Sequence, residues 1–185
     1  MTSVFRILSL LALGALLAGC GTTPLEAVSD FDESYDFAAV KTLRILPIDR
    51  TSAAEKLISD LQVERIDQAL SDELRAKGYA MAATRDEADL YLSWHLVTRE
   101  KTDIRSYNAA STYNCWRCGP PVSDVSVRQY TEGTFIVDLI DPHRNRSVWR
   151  STIQSRLKAQ PDPERAAENR ARAATAVFAN FPPQN

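Results

Sequence analysis

Apolar and polar residues alternate through positions 88–105, with Leu90, Leu92, Trp94 and Leu96 on one parity and Tyr91, Ser93, His95 and Arg99 on the other. Successive strand side chains point to opposite faces, so the pattern predicts a long strand buried on one side. The same alternation returns in TEGTFIVDLID (131–141) and RSVWRSTIQSRLK (146–158), separated by the turn-forming run Asp141-Pro142-His143-Arg144-Asn145. Phe135, Val137 and Leu139 face inward in the first, and Trp149, Ile153 and Leu157 in the second. The outward set is Glu132, Thr134 and Asp138 against Arg146, Arg150, Arg156 and Lys158. A hairpin that sets Asp138 against Arg150 and Glu132 against Arg156 also sets Leu139 against Trp149 and Phe135 against Ile153. One register thus suits both faces, with the charge pairs on the wet one.

Two segments change period. Residues 53–77 carry Leu57, Leu61, Val63, Ile66, Leu70 and Leu74, largely at the three- and four-residue spacing of one helix face, and Gly78 suits the reversed turn after a helix. The last helix is predicted to start at Asp162-Pro163-Glu164, where an N-cap acceptor, a first-turn proline and an acid near the positive helix end coincide. It should run to about Ala179. Its apolar residues Ala166, Ala167, Ala173, Ala174, Val177 and Phe178 are mostly small, and Phe181-Pro182-Pro183 stops it. With further strands in VSDF (28–31) and in KTLRILPI (41–48), which Pro47 ends, the elements predict an α+β fold. Its sheet is mainly antiparallel, with the two helices packed on one face.

The amino terminus, MTSVFRILSLLALGALLAGC, places Arg6 ahead of an apolar run from Ile7 to Ala18. That run is shorter than the roughly 20 residues of a spanning helix and reads as an export signal. Its end, Leu17-Ala18-Gly19-Cys20, resembles the lipobox of bacterial lipoproteins, which implies cleavage before Cys20 and acyl chains on its sulfur. An ordinary cleaved signal with Cys20 near the cut by chance is the alternative. Gly21 stands where retention in the inner membrane favours aspartate, which by the same resemblance points to the outer membrane. The expected organisation is a signal peptide over 1–19, a lipidated tether over 20–27 and one domain over 28–183. After Cys20 the tether GTTPLEA spans roughly 25 Å at most, which holds the domain close to the bilayer.

Composition adds little. The 22 Lys and Arg residues nearly balance the 24 Asp and Glu residues, which gives no argument for nucleic acid as a partner. Charge is nevertheless polarised. Glu26, Asp30, Asp32, Glu33 and Asp36 have no base among them, whereas bases outnumber acids from Arg144 onward. Solvated faces of a polarised domain account for this.

Cys115-Trp116-Arg117-Cys118 poses the main chemical question. A zinc site needs about four ligands, yet the motif occurs once and His95 and His143 are the only histidines, so neither a metal nor another cofactor is expected. A thiol–disulfide role requires the motif at a helix amino terminus, whereas Gly119-Pro120-Pro121 follows it here. With Cys20 acylated, two cysteines remain in an oxidising compartment, and a Cys115–Cys118 disulfide uses both. Such a staple holds Trp116 and Arg117 beside Tyr107 and Tyr113, aromatics and an arginine of the kind found at partner-binding hot spots. The bland alternative is a loop folded back over the sheet. Asp138 and Asp141 form a possible carboxylate pair, but their opposite parity beside a turn fits a charge-paired hairpin better. No G-x-S-x-G elbow or glycine-rich phosphate loop occurs.

Taken together, FDESYDFAAVKTLRIL (31–46), the helix end ELRAKGY (73–79), ADLYLSWHL (88–96), YTEGTFIVDLIDP with SVWR (130–150) and the closing NFPP (180–183) resemble the bacterial lipoprotein family called domain of unknown function 4136. Ser151 departs from it where members often carry glycine, and so does the cysteine pair. The resemblance implies an envelope α+β domain and no catalytic residues. The functional expectation is therefore an outer-membrane lipoprotein whose periplasm-facing domain has a non-catalytic binding or structural role in envelope assembly or integrity. The membrane is engaged through Cys20, and the partner is an envelope protein, peptidoglycan or a lipid-derived ligand. The alternatives are a hydrolase acting on an envelope polymer and a thiol–disulfide protein using the cysteine pair.

Overall fold

The computed structural model describes residues 25–50, 53–108, 123–157 and 162–183. The signal segment, Cys20, Tyr113 and the Cys115–Cys118 motif lie outside them. Strands β1 (Ala27–Phe31), β2 (Thr42–Ile45), β3 (Ala80–Met81), β4 (Leu90–Asn108), β5 (Ser123–Asp141) and β6 (Arg146–Arg156) form one sheet in the order β1-β6-β5-β4-β2-β3. The β2 pairings to β3 and β4 are parallel and all others antiparallel. The helices are α1 (Ala53–Lys56), α2 (Asp60–Ala76) and α3 (Pro163–Val177). The fold is α+β, with α2 and α3 packed on the predicted inward parity of the sheet.

The hairpin register is the predicted one in all four pairs: Asp138 opposite Arg150, Glu132 opposite Arg156, Leu139 opposite Trp149, and Phe135 opposite Ile153. Its wet face differs from expectation. Asp138 is only 5% exposed, because Ser147 Oγ (2.7 Å) and the Arg150 guanidinium (2.8 and 3.0 Å) cover its carboxylate. The same pair holds the Arg150 guanidinium above its usual pKa, first through the hydrogen bonds from Arg150 to Asp138. Glu132 turns instead to Lys101 (2.8 Å), and Arg156 lies 3.7 Å over the Tyr130 ring. Strand opposition fixes which backbones face each other, while long side chains choose among neighbours on both flanks.

Residues 53–77 are two helices, not one. Ser59 caps α2 by accepting from the Gln62 amide while the Gln62 side chain accepts from the Ser59 amide, and this capping box sets a new start. Leu57, in the break, is 86% exposed, and Leu61, on the first turn, is 61% exposed. The predicted apolar face therefore begins only at Val63 and Ile66 and is fully buried at Leu70 and Leu74. Gly78 does take a positive φ of 93° after the helix. At the other end of the chain Asp162 caps α3 through the Glu164 amide, as predicted.

Under these helices lie Leu43, Leu90, Leu92, Trp94, Val137, Leu139, Trp149 and Ile153, closed by Ala174, Val177, Phe178 and Phe181. One feature the alternation did not announce anchors the β2–β4 edge. Asp89 Oδ2 accepts from the amides of Lys41 and Thr42 and from Thr42 Oγ1, all at 2.8 Å. Burial opposes its charge, but these three hydrogen bonds hold its carboxyl below the usual range. β4 and β5 also run on together past the last β6 pair, Glu132–Arg156, to Asn108 and Ser123, so the hairpin arm is far longer than predicted.

Trp94 donates from Nε1 to Asp67 Oδ1 on α2 (2.7 Å), and burial pushes the Asp67 carboxyl above its ordinary pKa despite that bond. A raised folded pKa means that the stabilising contribution is full below the unfolded value and is lost as pH rises through the folded one. Asp67→Asn keeps an acceptor for the indole and removes the charge. It is expected to melt above the parent protein at pH 7 and level with it below pH 3. Equal melting points at both pH values would show that Asp67 is fully solvated.

Candidate functional site

Two arrangements on the described surface hold the elements of a site. The first is an apolar cleft of about 270 Å³ between α2, α3 and the far end of the sheet. Helix α2 supplies Ile66, Ala69 and Leu70, and α3 supplies Ala166, Ala173 and Ala174. The sheet supplies Leu96, Gly133, Phe135, Ser155 and Leu157 as its floor. Inward parity explains Leu96 and Phe135, and the small residues of α3 leave the space beside them unfilled. A Cβ on Gly133 would stand 2.7 Å from Leu157 Cδ2, so glycine is what lets Leu157 lie across the strand. Leu157 is 42% exposed rather than buried as predicted, because it forms the lip of the cleft. Arg170 and Asn169 complete the rim. Arg170 also reaches a second cleft of about 440 Å³ between the helices, together with Arg65, Asp72 and Glu73.

The second arrangement is a polar relay on the outward face. Ser93 Oγ lies 3.2 Å from His95 Nε2, and His95 Nδ1 lies 3.1 Å from Glu55 Oε1. Glu55, on α1, is 2% exposed and also accepts from the Leu96 amide on the edge of β4 that β2 has left. With Nδ1 protonated and donating to the carboxylate, Nε2 is free to accept from the serine hydroxyl, which is the connectivity of an acyl-transfer triad. Sequence reasoning placed Ser93 and His95 on one face and missed Glu55, whose 40-residue separation from His95 leaves no local signal. The Glu55 carboxylate also has a structural role independent of any chemistry: through the Leu96 amide it ties α1 to the strand edge.

The remaining predicted residues separate. Asp138 is engaged by Arg150 and Ser147, while Asp141 Oδ1 accepts from the amides of His143 and Arg144 in the turn, so the two carboxylates serve different structures. His143 is exposed in that turn. Tyr107 lies on β4, one residue from its end. Tyr113, Cys115, Trp116, Arg117 and Cys118, like Cys20, lie outside the described residues. Among the described residues no group of three or more His, Cys, Asp or Glu side chains is arranged to hold a metal ion.

The polarised charge also finds its place. Asp32, just past β1, pairs with Arg146 (2.5 Å) and Arg144 (3.5 Å), beside a polar cleft of about 710 Å³. Hydrogen bonds from Ser34, first its hydroxyl and then its amide, hold the Asp32 carboxyl below the usual range. The acidic and basic stretches here meet across β1 and β6 instead of presenting separate faces.

The family model for the domain of unknown function DUF4136 matches residues 27–183, nearly all of the chain after its first 26 residues. The chain belongs to the DUF4136 family. No curated protein matches it by sequence. Its fold is similar to that of a PDZ domain protein from Parabacteroides distasonis, at a TM-score of 0.54 and 14% identity over 87% of this chain. The DUF4136 chain spans 36% of that protein's length. It is also similar to a DUF4136 family protein from Bacteroides thetaiotaomicron, at a TM-score of 0.46 and 18% identity over 86% of this chain and 95% of the other. A neuraminyllactose-binding hemagglutinin homolog from Helicobacter pylori aligns at a TM-score of 0.44 and 12% identity over 88% and 90% of the two chains.

Proposed function

We propose that this DUF4136 protein is a lipoprotein of the outer membrane whose periplasm-facing domain binds an apolar ligand and does not transform it, in support of envelope integrity. The observation that carries the binding role is the cleft between α2, α3 and the sheet, lined by aliphatic side chains, alanines and Phe135, with one charged group at its rim. Pockets that bind are mostly apolar with a few orienting polar groups. The lipobox-like Leu17-Ala18-Gly19-Cys20 supports the anchor, and an oxidising compartment with Cys20 acylated supports a disulfide between the two remaining cysteines, Cys115 and Cys118. Incubated with an envelope lipid extract, the protein is expected to retain lipid and return it unaltered. Cleavage products accumulating faster than in buffer would overturn the binding role, and cells fed labelled palmitate that yield an unlabelled chain would overturn the anchor.

The Ser93–His95–Glu55 relay favours a second reading, a hydrolase with Ser93 as nucleophile, His95 as base and Glu55 as the group that orients it. The two readings part on a short-chain p-nitrophenyl ester. Binding alone expects turnover at the buffer rate in both the parent and Ser93→Ala. A parent rate that Ser93→Ala lowers by about 10³-fold or more would establish the hydrolase.

A further inference from the structure

The cleft lies where the chain leaves for its anchor. β1 runs antiparallel to β6 with Ala27 opposite Ile153, so continuing that register carries Leu25 toward Ser155, which lines the cleft just before Leu157 at its lip. Leu25 is half-buried against the core, which fixes this exit. Four residues lie between it and Cys20, and the five fully extended steps from one to the other reach at most about 18 Å. An acylated Cys20 therefore holds the mouth of the cleft within a short step of the bilayer surface.

Charge at the mouth narrows the occupant. Arg170 at the rim, and Arg65 in the adjoining cleft, pair with no carboxylate among the described residues. The nearest acids in that second cleft are already engaged: Asp72 by Gln68 and Arg75, Glu73 by Thr175 Oγ1. A guanidinium fork at the edge of an apolar slot suits a carboxylate or phosphate whose hydrocarbon enters the slot. At about 270 Å³ the slot falls just below the roughly 300–1,000 Å³ of pockets that enclose drug-sized molecules, which leaves room for part of one hydrocarbon chain.

We infer that the α2–α3 cleft takes up a single-chain anionic lipid from the bilayer to which the protein is anchored, with its tail over Gly133 and Phe135 and its head on Arg170. The inference rests on the anchored, binding reading above. The test uses the full chain in two forms: the lipidated protein in phosphatidylethanolamine–phosphatidylglycerol vesicles, and a Cys20→Ala variant in solution. The probe is cis-parinaric acid, followed by its fluorescence and competed with palmitate.

Both forms are expected to bind saturably at one probe per chain. Arg170→Gln should weaken binding about tenfold and Leu157→Asp more than tenfold. Both side chains lie at the rim, so the variants should keep the parent circular dichroism. Absence of saturable binding to the Cys20→Ala form would overturn the proposal, as would Arg170→Gln and Leu157→Asp variants that bind like the parent. Binding by the Cys20→Ala form combined with refusal by the lipidated form would overturn it differently, showing that the protein's own acyl chain fills the cleft. Because the solution form needs no anchor, failure of the cleft and failure of the lipoprotein reading give separate results.

Discussion

Replacing Trp149 by alanine is expected to destabilise the domain by about 3–5 kcal/mol, the range for truncating a buried tryptophan. Its indole is 1% exposed and stacks on Phe178 with centroids 5.8 Å apart and planes inclined 15°, while Phe181 meets it edge-on at 5.2 Å. Phe31 and Leu139 flank it from β1 and β5. One side chain thus joins three strands to the end of α3, and its removal leaves a cavity that no single neighbour can close. Nε1 finds no hydrogen-bond partner among the protein atoms, so the loss is one of packing. Domains of this size are stable by about 5–15 kcal/mol, which makes the loss a large fraction of the whole. Urea denaturation should show a lowered midpoint at constant slope. A loss below about 1 kcal/mol would mean that the aromatic cluster repacks freely.

Cys20→Ala is expected to move the whole population of the protein from the membrane fraction to the soluble one. Among the described residues no helix is long and apolar enough to cross a membrane. Acyl chains add about 0.8 kcal/mol per buried methylene, so under the proposed lipoprotein reading two or more chains on Cys20 hold the protein to the bilayer, and losing them releases it. The variant should keep the parent's melting temperature, because the substitution precedes the first strand at Ala27. A variant that still sediments with membranes would remove Cys20 as the anchor and leave the domain's fold untouched.

Strict alternation made the hairpin readable, because a one-residue slip would expose Leu139 and Trp149 together. Partner choice among the charges was not readable. Glu132 has Arg156 opposite it on β6 and Arg99 opposite it on β4, yet it pairs with Lys101, the diagonal neighbour that only the position of β4 supplies. The helix break at Ser59 was present in the sequence as Ser59-x-x-Gln62, but the leucine spacing across it, Leu57 to Leu61, masked the signal. Asp67 and Glu55 carried no cue at all, since each is defined by a partner on β4 many residues away. The cleft was invisible for a related reason. The alanines of α3 predict close approach, and whether a small residue meets a neighbour or leaves a gap depends on how the helix crosses the sheet. Ser151 illustrates the same limit. Its hydroxyl is fully buried without a hydrogen-bond partner, and nothing in the structure explains it.

The pairing of β1 with β6 dictates an order of assembly. Val28 and Thr152 sit side by side in the sheet although 124 residues separate them along the chain. Synthesis runs from the amino terminus, so β1 is complete before any of the strands it must join exists. β4, β5 and β6 are consecutive and pair as a meander, whereas seating β1 requires the largest loop closure in the fold. Until then β6 offers an unpaired edge, and the first strand made is the last to find its place.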